Sequence, residues 1–515
     1  METASQTGST NDPTGRDRLA WNVLVSWGSQ LVTIVLGFVM PRLVDEELGQ
    51  VSLGIWDFAW AITSYITLVN FGVGSNAARY VAAFAIDHDA ARLRRIVSSA
   101  HVVQLGISVA VLLGTAGVIL SMPLWVPQTM AERLTESRMV VLLLGLSITA
   151  EMLFDAWRGI LTGVHRWDVH NGINTLHSVL SAGGMVVILL AGLGLTGMAA
   201  VYCASAFLAE ILRYRAARKY CPEARISLSL ANRDDIRLVA VFGLKNVLAM
   251  AGPLVVQQTV NVLITLRFGP AVLAVFARPA ALIRHMETFI YKFAFVLMPM
   301  AGSVQAQGDL RELRRFSIDM CQVGWALAVP GGVFLLLLGP MLIELWMGTD
   351  YVARETIMAL ALGGMLATAN RPAYRILFGL DRHGRASALS FIIYGGVLAV
   401  GVPLMLSEGA NLLTAALIYT AGDVLFSLCL VPQQLAKALQ MSVFSLLWQS
   451  AHRPLLTGAL SGGCLLLAAP YLTGNIVIDL AAAAALHGVV TLACYWLFVL
   501  PEPLKAKLLA MLRRH

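Results

Sequence analysis

The sequence predicts an all-α polytopic membrane protein with about fourteen transmembrane helices, and three observations predict it. Of 515 residues, 58% are hydrophobic and 13% charged, with a mean hydropathy of +0.73; soluble domains carry about a quarter charged residues. Apolar segments near the ~20 residues that cross a bilayer recur from end to end. Lys and Arg gather in every second link between them, as in cytoplasmic loops.

In chain order, residues 1–18 (METASQTGSTNDPTGRDR) are polar, with no apolar core and no small-residue cleavage site. They read as a cytoplasmic tail rather than a signal peptide. Apolar segments follow at 19–42, 52–74, 97–121, 138–162, 173–193, 195–214, 237–262, 271–300, 317–340, 355–378, 386–406, 412–436, 454–473 and 477–500. Twelve is the alternative count, because the link at Gly192 to Gly197 is very short and the last two segments are easily miscounted.

With the N-terminus inside, one side of the membrane receives Arg79, Arg92, Arg94, Arg95, Arg166, Arg213, Arg215, Arg311, Arg314, Arg315 and Arg382 among many others. The opposite side receives only Arg42, Arg133, Arg138, Arg267 and Arg354. Both termini are therefore predicted to be cytoplasmic. The formal charge of +7 resides in these links, and with no recognition module visible nucleic acid is not an expected partner. The six cysteines show no CxxC pair and no metal-ligand spacing, so no metal and no cofactor are expected. No link carries the glycines of a P-loop, which excludes ATP hydrolysis.

The chain repeats itself. Asp89-Ala-Ala-Arg92-Leu93-Arg94-Arg95 returns as Asp309-Leu-Arg311-Glu312-Leu313-Arg314-Arg315, and Gly159-Ile160-Leu161-Thr-Gly163-Val-His-Arg166 returns as Arg375-Ile376-Leu377-Phe-Gly379-Leu-Asp-Arg382. Two matches in order, at nearly one offset, predict two parallel six-helix lobes. The resulting boundaries are the tail 1–18, a first lobe 19–214, a basic cytoplasmic linker 215–236, a second lobe 237–437, two C-terminal helices within 453–500, and a basic cytoplasmic tail 501–515. Parallel repeats of this kind are a transporter architecture that rocks about a site between the lobes.

Charges inside the apolar segments mark that site. The stretch Ala271 to Met300 carries Arg278, Arg284, His285, Glu287 and Lys292. At 100° per residue Arg278, His285 and Lys292 fall within about 40° of one another. A charge at a bilayer centre costs about 2.5–3.5 kcal/mol on insertion scales, so this stripe is expected to face a polar cavity. Glu151, Asp155 and Arg158 share one face of the fourth segment; an internal salt bridge and a cavity-facing binding group both fit them. Arg371 and Arg375, four residues apart in the tenth segment, repel unless an anion or water reaches them, although Arg375 can also snorkel. Lys245 lies about nine residues inside the seventh segment. Asp57, Asn70 and Asp423 are single polar groups with weaker claims, and the lone His101, His177 and His487 read as packing residues. Trp56 and Trp60 fit interfacial anchoring as well as sugar stacking.

The run Leu48-Gly49-Gln-Val-Ser-Leu-Gly54-Ile55-Trp56, then Asn70-Phe-Gly72-Val-Gly74-Ser-Asn76-Ala-Ala-Arg79-Tyr80, then Gly163-Val-His-Arg166-Trp-Asp168, resembles the polysaccharide transport (O-antigen flippase) branch of the MOP exporter superfamily. The resemblance is strongest in residues 19–175. It implies a MATE-like pair of lobes around a cationic cavity that flips a polyprenyl-pyrophosphate-linked oligosaccharide across a bacterial inner membrane by alternating access, for surface polysaccharide synthesis. It implies a transporter, not an enzyme, with membrane lipids as neighbours and polysaccharide polymerase or chain-length proteins as candidate partners. Arg158, Lys245, Arg278, Arg284, Lys292, Arg371 and Arg375 are the kind of residue the family uses for its anionic headgroup, and Glu151, Asp155 and Glu287 are candidates for ion or proton coupling.

The physics of that task agrees. Cavity cations replace the hydration of a pyrophosphate while the apolar tail stays in lipid, and no bond is broken. An interior-negative potential favours outward movement of one negative charge by about 2.3 kcal/mol per 100 mV. A lipid II flippase and a multidrug or cation antiporter of the same superfamily are the alternatives, the antiporter expected to want an acidic or aromatic site. A polymerase or ligase would want a large outer loop.

Overall fold

The computed structural model describes residues 19–68, 73–126, 128–471, 473–500 and 505. The tail 1–18, Asn70, Gly72 and most of 501–515 lie outside the described residues, as do the side chains of Asn22, Ser26, Asn76 and Lys245. Every regular element among the described residues is helical.

The chain divides into two compact units, Met1–Met250 and Ala251–His515. The first contains α1 (Leu19–Thr67), α2 (Val73–Asp87), α3 (Ala90–Trp125), α4 (Gln128–Ala131), α5 (Leu134–Leu153), α6 (Asp155–Gly163), α7 (Trp167–Leu190) and α8 (Gly194–Tyr220). Helix α9 (Arg233–Phe268) begins in the first unit and ends in the second. The second continues with α10 (Pro270–Ala306), α11 (Leu310–Met347), α12 (Arg354–Ala369), α13 (Arg371–Gly379), α14 (Gly384–Leu406), α15 (Leu412–Leu425), α16 (Val431–Ala438), α17 (Val443–Ala468) and α18 (Ile476–Cys494).

Each of the fourteen apolar segments is mostly helical over its described residues, with non-helical positions at Leu68, Phe154, Asn370 and some segment ends. Among the described residues, however, eight helices are long and apolar enough to cross a membrane, or nine if α5 and α6, bent by 44°, count as one. Interruptions account for part of the difference. Gly49, at φ 80°, interrupts α1, Phe154 separates α5 from α6, and Asn370 separates α12 from α13.

The repeated motifs have the same local geometry in both units. The side chains of Asp89 and Asp309 cap α3 and α11, accepting from Arg92 N and from Arg311 N and Glu312 N. Leu93 and Leu313 are buried. Arg94 Nε donates to Glu223 O at 3.1 Å, while Arg314 Nε and Nη2 donate to Leu439 O at 2.6 Å and Gln440 O at 2.8 Å. In each unit an arginine thus ties its helix to backbone carbonyls just past the end of a later helix, α8 in one and α16 in the other. Helix breaks recur as well: α6 and α13 are nine residues each, and both begin immediately after a non-helical residue, Phe154 or Asn370. The Ile160-Leu161 and Ile376-Leu377 pairs are fully buried. Gly163 and Gly379 close these short helices against backbone: a Cβ at Gly163 would lie 2.7 Å from Ala78 O, and one at Gly379 would collide with Met298 O. Small residues let membrane helices approach this closely.

The segment after Tyr220 is strapped along α3. Ser98 Oγ accepts from Ser227 N and Ser99 Oγ from Asn232 N, each at 3.0 Å, and Arg95 pairs with Asp235 at 2.6 Å.

Candidate functional site

Each unit holds one ionisable cluster inside its helices. In the first, the bend after Phe154 presents Asp155 at the start of α6, buried and paired with Arg158, whose side chain is 43% exposed. Helix α8 contributes a second pair, Glu210 with Arg213, both buried. From α7, Asn174 accepts from Arg213 Nη2 at 2.8 Å and contacts His170 Nε2 at 3.2 Å. His170, Asn174 and His177 stand on one face at i, i+4 and i+7. These groups and Glu151 line a cavity of about 160 Å³. Glu210 Oε2 and Arg213 Nε are buried there without a hydrogen-bond partner.

The lining carries three carboxylates (Glu151, Asp155, Glu210) against two guanidiniums (Arg158, Arg213). The first-unit cluster is a mixed network with an excess of acidic side chains, in which Arg158, expected to face substrate, shares one cavity with Glu151 and Asp155, expected to serve coupling. Next to it, His177 meets the Tyr202 ring edge-on at 5.2 Å, and Tyr202 in turn meets Trp60 at 5.3 Å and Trp56 at 6.4 Å.

In the second unit Asp423 of α15 is the hub. It is buried, accepts from Tyr394 Oη at 2.8 Å and from Gln257 Nε2 at 3.4 Å, and lies 3.5 Å from Arg371 Nη2. Arg284 Nη1 donates to Tyr419 Oη at 3.3 Å. Glu287 is within electrostatic reach of Arg371, Asp423 and Arg284. The break that starts α13 at Arg371 is held by Asn370, which accepts from Trp325 Nε1 and donates to Ser427 O, each at 3.1 Å. Ser427 sits in a π-helical stretch, Phe426–Leu430, where the ladder is widened and its carbonyls are open to side chains.

The structure therefore brings Glu151, Asp155 and Arg158 together in one unit, and Arg284, Glu287 and Arg371 in the other. Arg375 does not join Arg371: its guanidinium lies over Tyr291 at 4.4 Å and near Phe378 at 5.7 Å. Arg278, expected on one stripe with His285 and Lys292, is buried, while the other two are half-buried.

Several residues of these clusters are not among the site residues that the sequence predicts. Arg213 had been counted among the cytoplasmic arginines, yet it is only 8% exposed; Glu210, three residues earlier in the same apolar segment, was the signal that could have placed it inside. Asp423 had seemed isolated because its partners come from α9, α13 and α14, far away in sequence. His177 packs against Tyr202, as a packing residue would, and also lines the first-unit cavity. His101 does pack, its ring 6.4 Å from Trp157.

No protein-family model and no curated protein sequence matches the chain. Solved structures do. An inward-facing multidrug resistance MATE family transporter of the MOP superfamily superposes with a TM-score of 0.64 at 14% identity, covering 82% of this chain and 96% of that one. The lipid II flippase MurJ, in an inward closed conformation, gives 0.67 at 13% identity over 92% and 99%. A MOP superfamily transporter from Pyrococcus furiosus, described as having a binding pocket of reversed polarity, gives 0.59 at 14% identity over 86% and 100%. At such identities the likeness is one of fold alone: the chain shares the helical fold of these solved transporters.

Proposed function

We propose that this protein is a flippase that carries a polyprenyl-pyrophosphate-linked oligosaccharide from the cytoplasmic to the outer leaflet of a bacterial inner membrane by alternating access. In this reading the fourteen helical segments are spans, the first twelve forming two six-helix lobes and the last two standing beside them, with both termini in the cytoplasm. The observation that carries it is the sign of the charge on α10, α13 and α15 of the second unit, where Arg278, Arg284, Lys292, Arg371 and Arg375 stand against Glu287 and Asp423. An excess of guanidinium within apolar helices suits a pyrophosphate, which arginine forks bind in two-pronged fashion. Cationic drugs want the opposite sign. The Pyrococcus furiosus neighbour is described as differing in function on the ground of pocket polarity, and the same criterion is applied here.

The first-unit cluster takes a different part in this proposal. Its extra carboxylate supports exchange of a proton or small cation, with Glu210 joining Glu151 and Asp155. That same excess of acid is what favours the second reading, a cation antiporter. A lipid II flippase would present the same chemistry to the pyrophosphate.

The test is complementation of a flippase-deficient strain at matched membrane expression. Wild type is expected to restore surface polysaccharide, and Arg278→Ala, Arg371→Ala and Lys292→Ala to fail. Failure of the wild type with every glycan tried, combined with reduced accumulation of a cationic dye, would replace the flippase with the antiporter.

A further inference from the structure

A second cavity in the first unit, of about 180 Å³, shares no residue with the ionisable cluster. Arg79, Tyr80 and Phe84 line it from α2, and Arg92, Leu93 and Ile96 from α3, with Asp89 at the junction. Neither arginine forms an ion pair among the described residues, and Arg92 only lies over the Tyr80 ring at 5.9 Å. Asp89 is engaged with the backbone, accepting from Arg92 N at 2.9 Å. The other arginines of the motif, Arg94 and Arg95, are occupied by Glu223 O and Asp235. Two guanidiniums thus converge on one cavity with a single carboxylate already in use.

The repeat supplies an internal contrast. Where the first copy has Arg92 the second has Glu312, and where the first has Arg79 the second, at the same offset, has Pro299. The cavity at the second copy is lined by Asp309, Glu312 and Asp319 against Arg311 and Arg315, so acid prevails there. The paired cations are therefore not part of what the motif does structurally in both units.

We propose that the α2–α3 cavity binds the phosphate of an amphiphile, a phosphate ester bearing an apolar chain. Arg79 and Arg92 hold the phosphate oxygens, and the half-buried Ala83 and Phe84 meet the first methylenes of the chain. An anion between two guanidiniums relieves their repulsion, and arginine matches phosphate geometry. The proposed topology puts this site at the cytoplasmic surface. A polyprenyl pyrophosphate and an anionic phospholipid of that leaflet share the chemistry, and the site stands whichever cargo the transporter carries.

The experiment is a binding titration on the full-length protein in neutral detergent, without transport. The probes are farnesyl pyrophosphate, dioctanoyl phosphatidylglycerol and inorganic pyrophosphate. Wild type is expected to bind at least one amphiphile, with a loss on the order of tenfold for Arg79→Gln or Arg92→Gln and more for the pair. Arg311→Gln is the control and should bind as wild type does. Both arginines are exposed, so the variants should melt with the wild type. Preference for farnesyl pyrophosphate assigns the polyprenyl source and preference for phosphatidylglycerol the bulk lipid; either supports the site. Inorganic pyrophosphate binding as tightly as the amphiphiles would overturn the class of ligand. Undiminished binding by the double variant would overturn the site.

Discussion

Tyr394 donates its hydroxyl hydrogen to Asp423 at 2.8 Å, and its ring occupies a slot that only glycine leaves open on two sides. A Cβ at Gly422 would lie 2.5 Å from its Cδ1, and one at Gly252 would collide with Cδ2. A hydrogen bond to a charged group is worth about 1.5–3 kcal/mol. Tyr394→Phe should lower thermal stability in detergent by about that amount. Gly422→Ala should displace the ring and give a similar loss by a different route. Because both act on one contact, the double variant should fall well short of the sum; full additivity would show that the glycine does not act through Tyr394.

The Glu210 and Arg213 pair predicts an asymmetric mutational response. Removing one partner of a buried pair leaves an uncompensated charge and costs about 3–5 kcal/mol, whereas replacing both with uncharged residues of similar size is often neutral. Arg213→Ala should therefore melt well below wild type, and Glu210→Gln combined with Arg213→Met should recover much of the difference. If the double variant is folded but no longer responds to a pH gradient in sealed vesicles, the assignment of this cluster to coupling is supported.

Arg94 and Arg314 make equivalent ties in the two units, and the tie in the second has two hydrogen bonds to the first's one. Arg314→Ala should destabilise more than Arg94→Ala, each within roughly 1–3 kcal/mol per lost charge-assisted bond. Arg315→Ala, at an exposed side chain, should do little. Cys221 offers a local readout. Burial raises its thiol pKa to about 11, so it should react slowly with maleimide at neutral pH, and faster once Arg94→Ala frees the adjoining segment.

His383 stacks on Phe378 at 3.8 Å, and its Nδ1 is buried without a partner. Burial lowers its pKa from 6.5, against a smaller opposing effect of Asp381. Between that folded value and 6.5 the unfolded chain takes up a proton that the folded one does not. Stability is complete above pH 6.5 and declines as pH falls towards the folded value. His383→Phe should remove this share of the acid sensitivity below pH 6.5, read as a flatter plot of melting temperature against pH.

Much of the fold was legible because a bilayer leaves few choices. A run of about twenty apolar residues must satisfy its backbone internally, and a helix does so within the segment. The repeats were legible for a similar reason: Asp89, Leu93 and Arg94 cap, bury and tie within a short stretch, so their spacing survives in both copies. The number of spans was less legible, since interruptions such as those at Phe154 and Asn370 depend on what packs against each break.

The sequence by itself determined the helical membrane class, the position of each apolar segment, and the presence of charges that lipid would not tolerate. Only the tertiary structure decided how those charges are partnered. Arg371 and Arg375 are four residues apart, yet one faces Asp423 and the other an aromatic face. Glu210 and Arg213 joined Glu151 and Arg158 because α5, α6, α7 and α8 converge on one cavity. Helical spacing fixes which side chains share a face of their own helix. Which helix that face meets is set by packing between segments distant in sequence, and the sign of each cavity follows from that meeting.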